Sequence, residues 1–199
     1  MSVQTEMLGG RLPLLDPQAL SAQQKETYDR LNTTWVAWAD SVPFQSKTED
    51  GRFIGPFNPI LFSPAISSSF LDFQETEQKD TSLSQRVRQV VILAVGAVWK
   101  ANYELYAHSA AARKAGISED AIRMLTTGSL PDELSDQEKI AQRYARQLSA
   151  ERRVEAAYSA AENAFGQRGL VEITYLTGLY HIVCGLLNAF EIPAPGSQV

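Results

Sequence analysis

LSQRVRQVVILAVGAVWKANYELYAHSAAARKAG, residues 83–116, is the stretch whose reading decides the fold. Val87, Val90, Val91, Ala94 and Val98 recur at helical spacing, and from Val90 to Trp99 the chain is hydrophobic nearly all round. A helix that is apolar on every face belongs at the centre of a bundle or under a second subunit. The pattern predicts one long helix running to Lys114, capped by Ser82-Leu-Ser-Gln85 and stopped by Gly116. Towards its far end Glu104 and His108 stand four residues apart, a spacing that stacks two side chains on one helical face. A carboxylate beside an imidazole in apolar surroundings is a simple acid–base apparatus. A second reading stays open, because Lys100 precedes Glu104 by four residues and would make a solvated ion pair with it.

Working outward, the rest of the chain also reads as helices. Ser21 and Gln24 form a capping box, followed by Tyr28, Leu31, Trp35 and Trp38 on one stripe to about residue 41. Pro43 to Pro59 is a loop broken by Gly51, Gly55, Pro56 and Asn58-Pro59, after which Ser63-Pro64 opens a helix. Ser118 caps a short helix ending near Gly128, and Ser135 with Glu138 forms another capping box. Val154 to Phe165 is helical with Gly166 as its stop, Leu170 to Asn188 closes the set, and the tail after Pro193 is loose. No segment alternates with a period of two, so the expected architecture is an all-α single domain (1–199) of about eight helices. Residues 1–80 form an N-terminal extension and 81–190 the core.

Composition narrows the function classes. The net charge of −5 without a basic block argues against nucleic acid and anionic membranes as partners. Residues 1–11 show no export signal, and Ile173 to Leu187 is too short and too interrupted to span a bilayer, so a buried helix is expected there. The lone Cys184 excludes an internal disulfide and fits a reducing cytoplasm. A phosphate-cradling glycine loop, a metal-spaced Cys/His cluster and a nucleophile elbow are all missing from the sequence.

Other candidates carry two readings each. His181 is a satisfied core histidine, or joins Glu104 and His108 as a two-histidine, one-carboxylate metal triad. Tyr103 belongs to the core or walls a pocket. Phe57 and Asn58, in the breaker-rich loop, are connectors or a lid over a ligand. Arg86 and Arg88, at the start of the main helix, are solvated or bind an anion.

Residues 83–127 resemble the carboxymuconolactone decarboxylase family, within the alkylhydroperoxidase D-like superfamily. The resemblance rests on the Leu-Ser-x-Arg-x-Arg start, the apolar helix, Tyr-Glu…His and Ala-x-x-Ala-Gly-hydrophobic-Ser. Arg11-Leu-Pro, the loop 55–59 and Phe165-Gly166 with its following helix resemble longer members of the family. The peroxidase branch carries two redox cysteines before its histidine. Aligning that histidine with His108 places Ala101 and Glu104 where the thiols would be, and Gln89 where a proton-relay glutamate would be. The resemblance therefore implies the alkylhydroperoxidase D-like helical fold without thiol peroxidase activity, and an assembly of dimers, trimers or hexamers.

The function expected from these readings is a cofactor-independent, metal-free lyase or isomerase acting on a small carboxylated lactone or related ring compound. Glu104 and His108 are the catalytic pair, with His108 protonating carbon and Glu104 setting its tautomer. Arg86, Gln89, Tyr103, Phe57, Asn58 and His181 are the candidate substrate-binding residues. The alternative is a non-catalytic helical oligomer that binds a small hydrophobic ligand.

Overall fold

A computed structural model describes residues 7–196, so the readings made for residues 1–6 and for 197–199 of the tail lie outside the described residues. Among the described residues nine helical segments follow in order. They are α1 (Ala22–Thr33), α2 (Trp35–Ser41), α3 (Phe57–Ile60), α4 (Pro64–Asp80), α5 (Gln85–Trp99), α6 (Asn102–Lys114), α7 (Glu119–Thr126), α8 (Asp136–Glu151) and α9 (Tyr158–Ala189). Among the described residues the β content is one isolated bridge, Lys47 to Phe53, inside the long loop. The protein is all-α.

Local chemistry sets most of the helix starts. Ser21 and Ser135 head complete capping boxes with Gln24 and Glu138, Ser118 caps α7, and Pro64 occupies the first turn of α4. The cap of α5 is Ser84 rather than Ser82: Ser84 accepts from the Val87 amide, whereas Ser82 donates its hydroxyl to Glu172. The α9 backbone leaves helical geometry at Gly166 (φ 65°, ψ 177°), where the sequence places a stop, and continues as helix beyond this kink.

Two breaks depart from the sequence reading. The stripe from residue 22 to 41 is interrupted at Thr34 (φ −114°, ψ −88°), which separates α1 from α2. The long helix expected through Lys114 ends at Lys100, which adopts a left-handed conformation (φ 53°). Such a conformation costs a non-glycine residue roughly 1–2 kcal/mol. What offsets it is packing, since α6 folds back along α5. Gly96 approaches Leu105 and Glu104, Gln89 reaches His108, and Arg86 reaches the Gly116 carbonyl.

At the centre, α5 is wrapped by α6, α8 and α9, and Val90, Val91, Ile92, Leu93, Ala94 and Val95 are all within 1% of full burial. The chain thus covers its most apolar helix by itself, without a second subunit. The half of α9 beyond Gly166 is a core helix on one side, with Ile173, Leu176, Leu179 and Cys184 buried. By length and composition α9 could cross a membrane, but half of its most apolar window is buried inside this bundle.

Candidate active site

Because the break at Lys100 puts Glu104 on a different helix, no Lys100–Glu104 ion pair forms. Lys100 is exposed, and Glu104 is only 2% exposed. Glu104 and His108 share the inner face of α6, as their spacing requires. Glu104 Oε1 lies 3.1 Å from His108 Nε2. Gln89, reaching across from α5, places its Oε1 2.8 Å from His108 Nδ1. Tyr180, from α9, stands edge-on to the imidazole with its hydroxyl 3.3 Å from Nε2.

These contacts define the proton inventory. Gln89 Oε1 is an acceptor, so Nδ1 carries the ring hydrogen and donates it. Nε2 is then bare and can only accept. The 3.1 Å separation from Glu104 would suit an ion pair, but burial acts on both groups to suppress charge. It pushes the Glu104 carboxyl up to about 8. Burial, and secondarily the charge of Arg88, pushes His108 down to about 3. The pair is therefore neutral near pH 7, with one proton on Glu104 facing the bare ring nitrogen. Glu104 Oε1 has no other partner.

Around the pair lies a small apolar cavity of about 40 Å³, lined by Trp35, Trp38, Phe44, Phe57, Tyr103 and Tyr180 among others. That is room for about one to three waters, and too little for a ring compound without side-chain movement. Larger open grooves exist elsewhere, one along Arg143 and Arg146 of α8, but none of these touches Glu104 or His108. The cavity matters because it meets the acid–base pair. Its roof is the 42–56 loop, tied to α6 at one residue: Tyr103 donates to the Gln45 carbonyl at 2.7 Å and Tyr106 accepts from the Gln45 amide at 2.9 Å.

Gly55 makes that closure possible. It sits at φ +63°, and a Cβ there would fall 2.1 Å from the Tyr103 ring. Gly55→Ala is expected to lower stability by about 3 kcal/mol, combining backbone strain with overpacking. Thermal denaturation followed by circular dichroism checks this; a variant within about 1 kcal/mol of wild type would contradict so tight a roof.

The other sequence candidates separate into three groups. Gln89, Tyr103 and Phe57 are in or against the site as described. Asn58 is structural: buried, it donates to the Pro13 carbonyl and accepts from the Leu15 amide, fastening the N-terminal segment. Arg86 and His181 point elsewhere. The Arg86 guanidinium is taken by Glu138 at 2.6 Å and by the Gly116 carbonyl. His181 Nε2 pairs with Ser149 Oγ at 2.8 Å and its ring packs on Trp99, so it joins neither the acid–base pair nor a triad. Among the described residues no three His, Cys, Asp or Glu side chains cluster at metal-binding distance.

Sequence reasoning missed Tyr180, Trp35 and Trp38 as site residues, and it read Arg88 as solvated or anion-binding, whereas it is buried and paired. Arg88 is 5% exposed and forms a two-pronged ion pair with Glu77 of α4, so the one cation electrostatically felt by His108 is itself neutralised. Tyr180 neighbours His181, and an odd–even choice on one helix separates them. Cys184 is fully buried and burial raises its thiol, the opposite of what a reactive thiolate needs.

The described residues form an all-helical bundle that holds a buried carboxyl–imidazole pair beside a small apolar cavity. The model of the carboxymuconolactone decarboxylase family matches residues 64–147, and that part of the chain is similar to the family. No curated protein matches the sequence. Among solved structures, an uncharacterized peroxidase-related protein with an alkylhydroperoxidase AhpD core, from Ralstonia eutropha JMP134, superposes with a TM-score of 0.70. It is 15% identical, over 94% of this chain and 92% of that one. A peroxidase-related protein from Silicibacter sp. TM1040 gives 0.66 at 15% identity, over 94% and 93%. The debrominase Bmp8, in a variant complexed with 2,3,4-tribromopyrrole, gives 0.70 at 11% identity, over 94% of each chain. At these identities the likeness shows a shared fold, the AhpD-like helical one.

Proposed function

We propose that this protein is a cofactor-independent lyase or isomerase that acts on a small carboxylated lactone or related ring compound. The observation that carries the reading is the buried Glu104–His108 pair beside a small, mostly apolar cavity. Loss of CO₂ from such a ring breaks a C–C bond and leaves its electron pair as a dienolate. The pair then takes a proton at carbon. Glu104 holds that proton near neutral pH and gives it to carbon; His108, its tautomer fixed by Gln89, orients the proton beforehand by accepting it as a hydrogen bond at Nε2, and water returns a proton to Glu104 after product leaves. The assignment inverts the roles expected from spacing: Glu104 is the acid, and Gln89 rather than Glu104 sets the tautomer. Among the described residues no unpaired cation faces the cavity, which suits a carboxylate that must leave as neutral CO₂.

The test is incubation of the purified protein with a carboxylated muconolactone in D₂O. The expected result is CO₂ release with one deuterium incorporated at carbon. Release of no CO₂ from this or related carboxylated lactones would leave the ligand-binding alternative standing.

Assembly belongs to the same proposal. Val171, Tyr175 and Ile182 are each about half exposed along one stripe of α9, and a Cβ on Gly178 between them would meet nothing within 4 Å. A second copy seated on that stripe would cover it. Light scattering is expected to report a multiple of the 22.0 kDa chain mass, and Ile182→Glu to reduce it. A wild-type protein running as a single chain would contradict this. The one buried thiol supports a reducing, cytoplasmic setting.

A further inference from the structure

One residue that lines the cavity, Trp35, carries a buried polar atom without a partner. Trp35 Nε1 is shut off from solvent and makes no hydrogen bond, in a wall otherwise built of aromatic and aliphatic groups. Buried donors are rarely left unmade, and an orphan in a native site calls for an acceptor that the chain itself does not supply. Glu104, whose Oε1 faces His108 Nε2 at 3.1 Å, lines the same cavity. The two polar groups thus mark two places on one ligand: a carbon that receives a proton and an oxygen that receives an N–H.

The position of Trp35 strengthens this. Trp35 and Trp38 also wall an open groove of about 410 Å³ on their other side, bounded by Thr34, Glu75, Gln78, Lys79 and Gln85. Two indoles therefore partition groove from cavity. They stand edge to face with centroids 6.2 Å apart, on a seven-residue helix entered through the irregular Thr34.

We propose that Trp35 Nε1–H is the donor that receives the ring carbonyl oxygen of the ligand, fixing the ring with its reacting carbon towards Glu104. In the proposed reaction the same oxygen becomes the dienolate oxygen, where a preorganised donor contributes most. The inference rests on the lactone reading for that second role, but the recognition of a carbonyl is testable without turnover.

The probes are γ-crotonolactone, a five-membered unsaturated lactone, and dihydrofuran, the same ring without the carbonyl. Ligand-observed NMR titration gives the affinity of each for wild type and for Trp35→Phe, which keeps the aromatic bulk and removes the N–H. Wild type is expected to prefer the lactone, and the variant to lose about fivefold of that preference with dihydrofuran binding unchanged. A preference that survives in Trp35→Phe, an equal loss for both probes, or no preference in wild type would overturn the proposal. Carbonyl recognition through Trp35 in a protein that releases no CO₂ would overturn the decarboxylation reading alone.

Discussion

Replacing Glu104 with glutamine is expected to lower turnover of a carboxylated lactone by about 10²–10⁴-fold. The amide keeps the shape of a neutral carboxyl and can still donate an N–H to His108 Nε2, so the cavity stays intact. What is lost is a transferable proton. His108→Ala should cost a similar factor, because Glu104 and His108 act at 3.1 Å as one device. For the same reason the double variant should be little worse than either single one. Steady-state kinetics on the three variants checks this. A Glu104→Gln protein with wild-type kcat would remove Glu104 from the chemistry, and strictly multiplicative losses would show that the two residues act independently.

The same substitution should stabilise the protein at alkaline pH. Glu104 ionises near 4.5 in the unfolded chain but near 8 when folded. Between those values the folded state holds a proton that the unfolded state releases, so this group makes stability fall as pH rises through the window. His108 works in the other direction. Its pKa falls from 6.5 to about 3 on folding, so stability rises with pH across that range. The two effects oppose each other between about pH 4.5 and 6.5, and only the Glu104 penalty continues above it. Glutamine removes that penalty. At pH 8 the variant should therefore be more stable than wild type by about 2–4 kcal/mol, shrinking towards zero at pH 5. Urea denaturation at a series of pH values measures it. Equal stability of the two proteins at pH 5 and pH 8 would mean that Glu104 is not held protonated by burial.

Much of the bundle was legible because its signals are local. Ser21 with Gln24, Ser135 with Glu138, Ser63-Pro64 and Gly166 announce their elements through side-chain and backbone preferences that need no distant partner. The Lys100 break was not legible. Trp99-Lys100-Ala101 contains no glycine or proline, and the turn exists because α6 gains more by packing back along α5 than Lys100 loses in a left-handed conformation. Of the site, Glu104 and His108 were visible because both lie on α6, beyond the break, where four-residue spacing still means one face. Their partners are long-range. Trp35 and Trp38 arrive from α2 and Tyr180 from α9, and no spacing rule links them to residue 104. His181 attracted attention for its chemistry, yet adjacent helical residues point about 100° apart, and Tyr180 is the one turned inward. Arg86 looked free in the sequence because Glu138 lies 52 positions away.

The central claim is that one proton resides between Glu104 and His108 in an uncharged buried pair. Infrared and ¹⁵N NMR spectroscopy of the wild-type protein at neutral pH, with Glu104→Gln as reference, tests it directly. The account predicts the carbonyl band of a protonated carboxylic acid that vanishes in the variant, and a neutral His108 ring protonated at Nδ1. A carboxylate facing an imidazolium with both nitrogens protonated would contradict it.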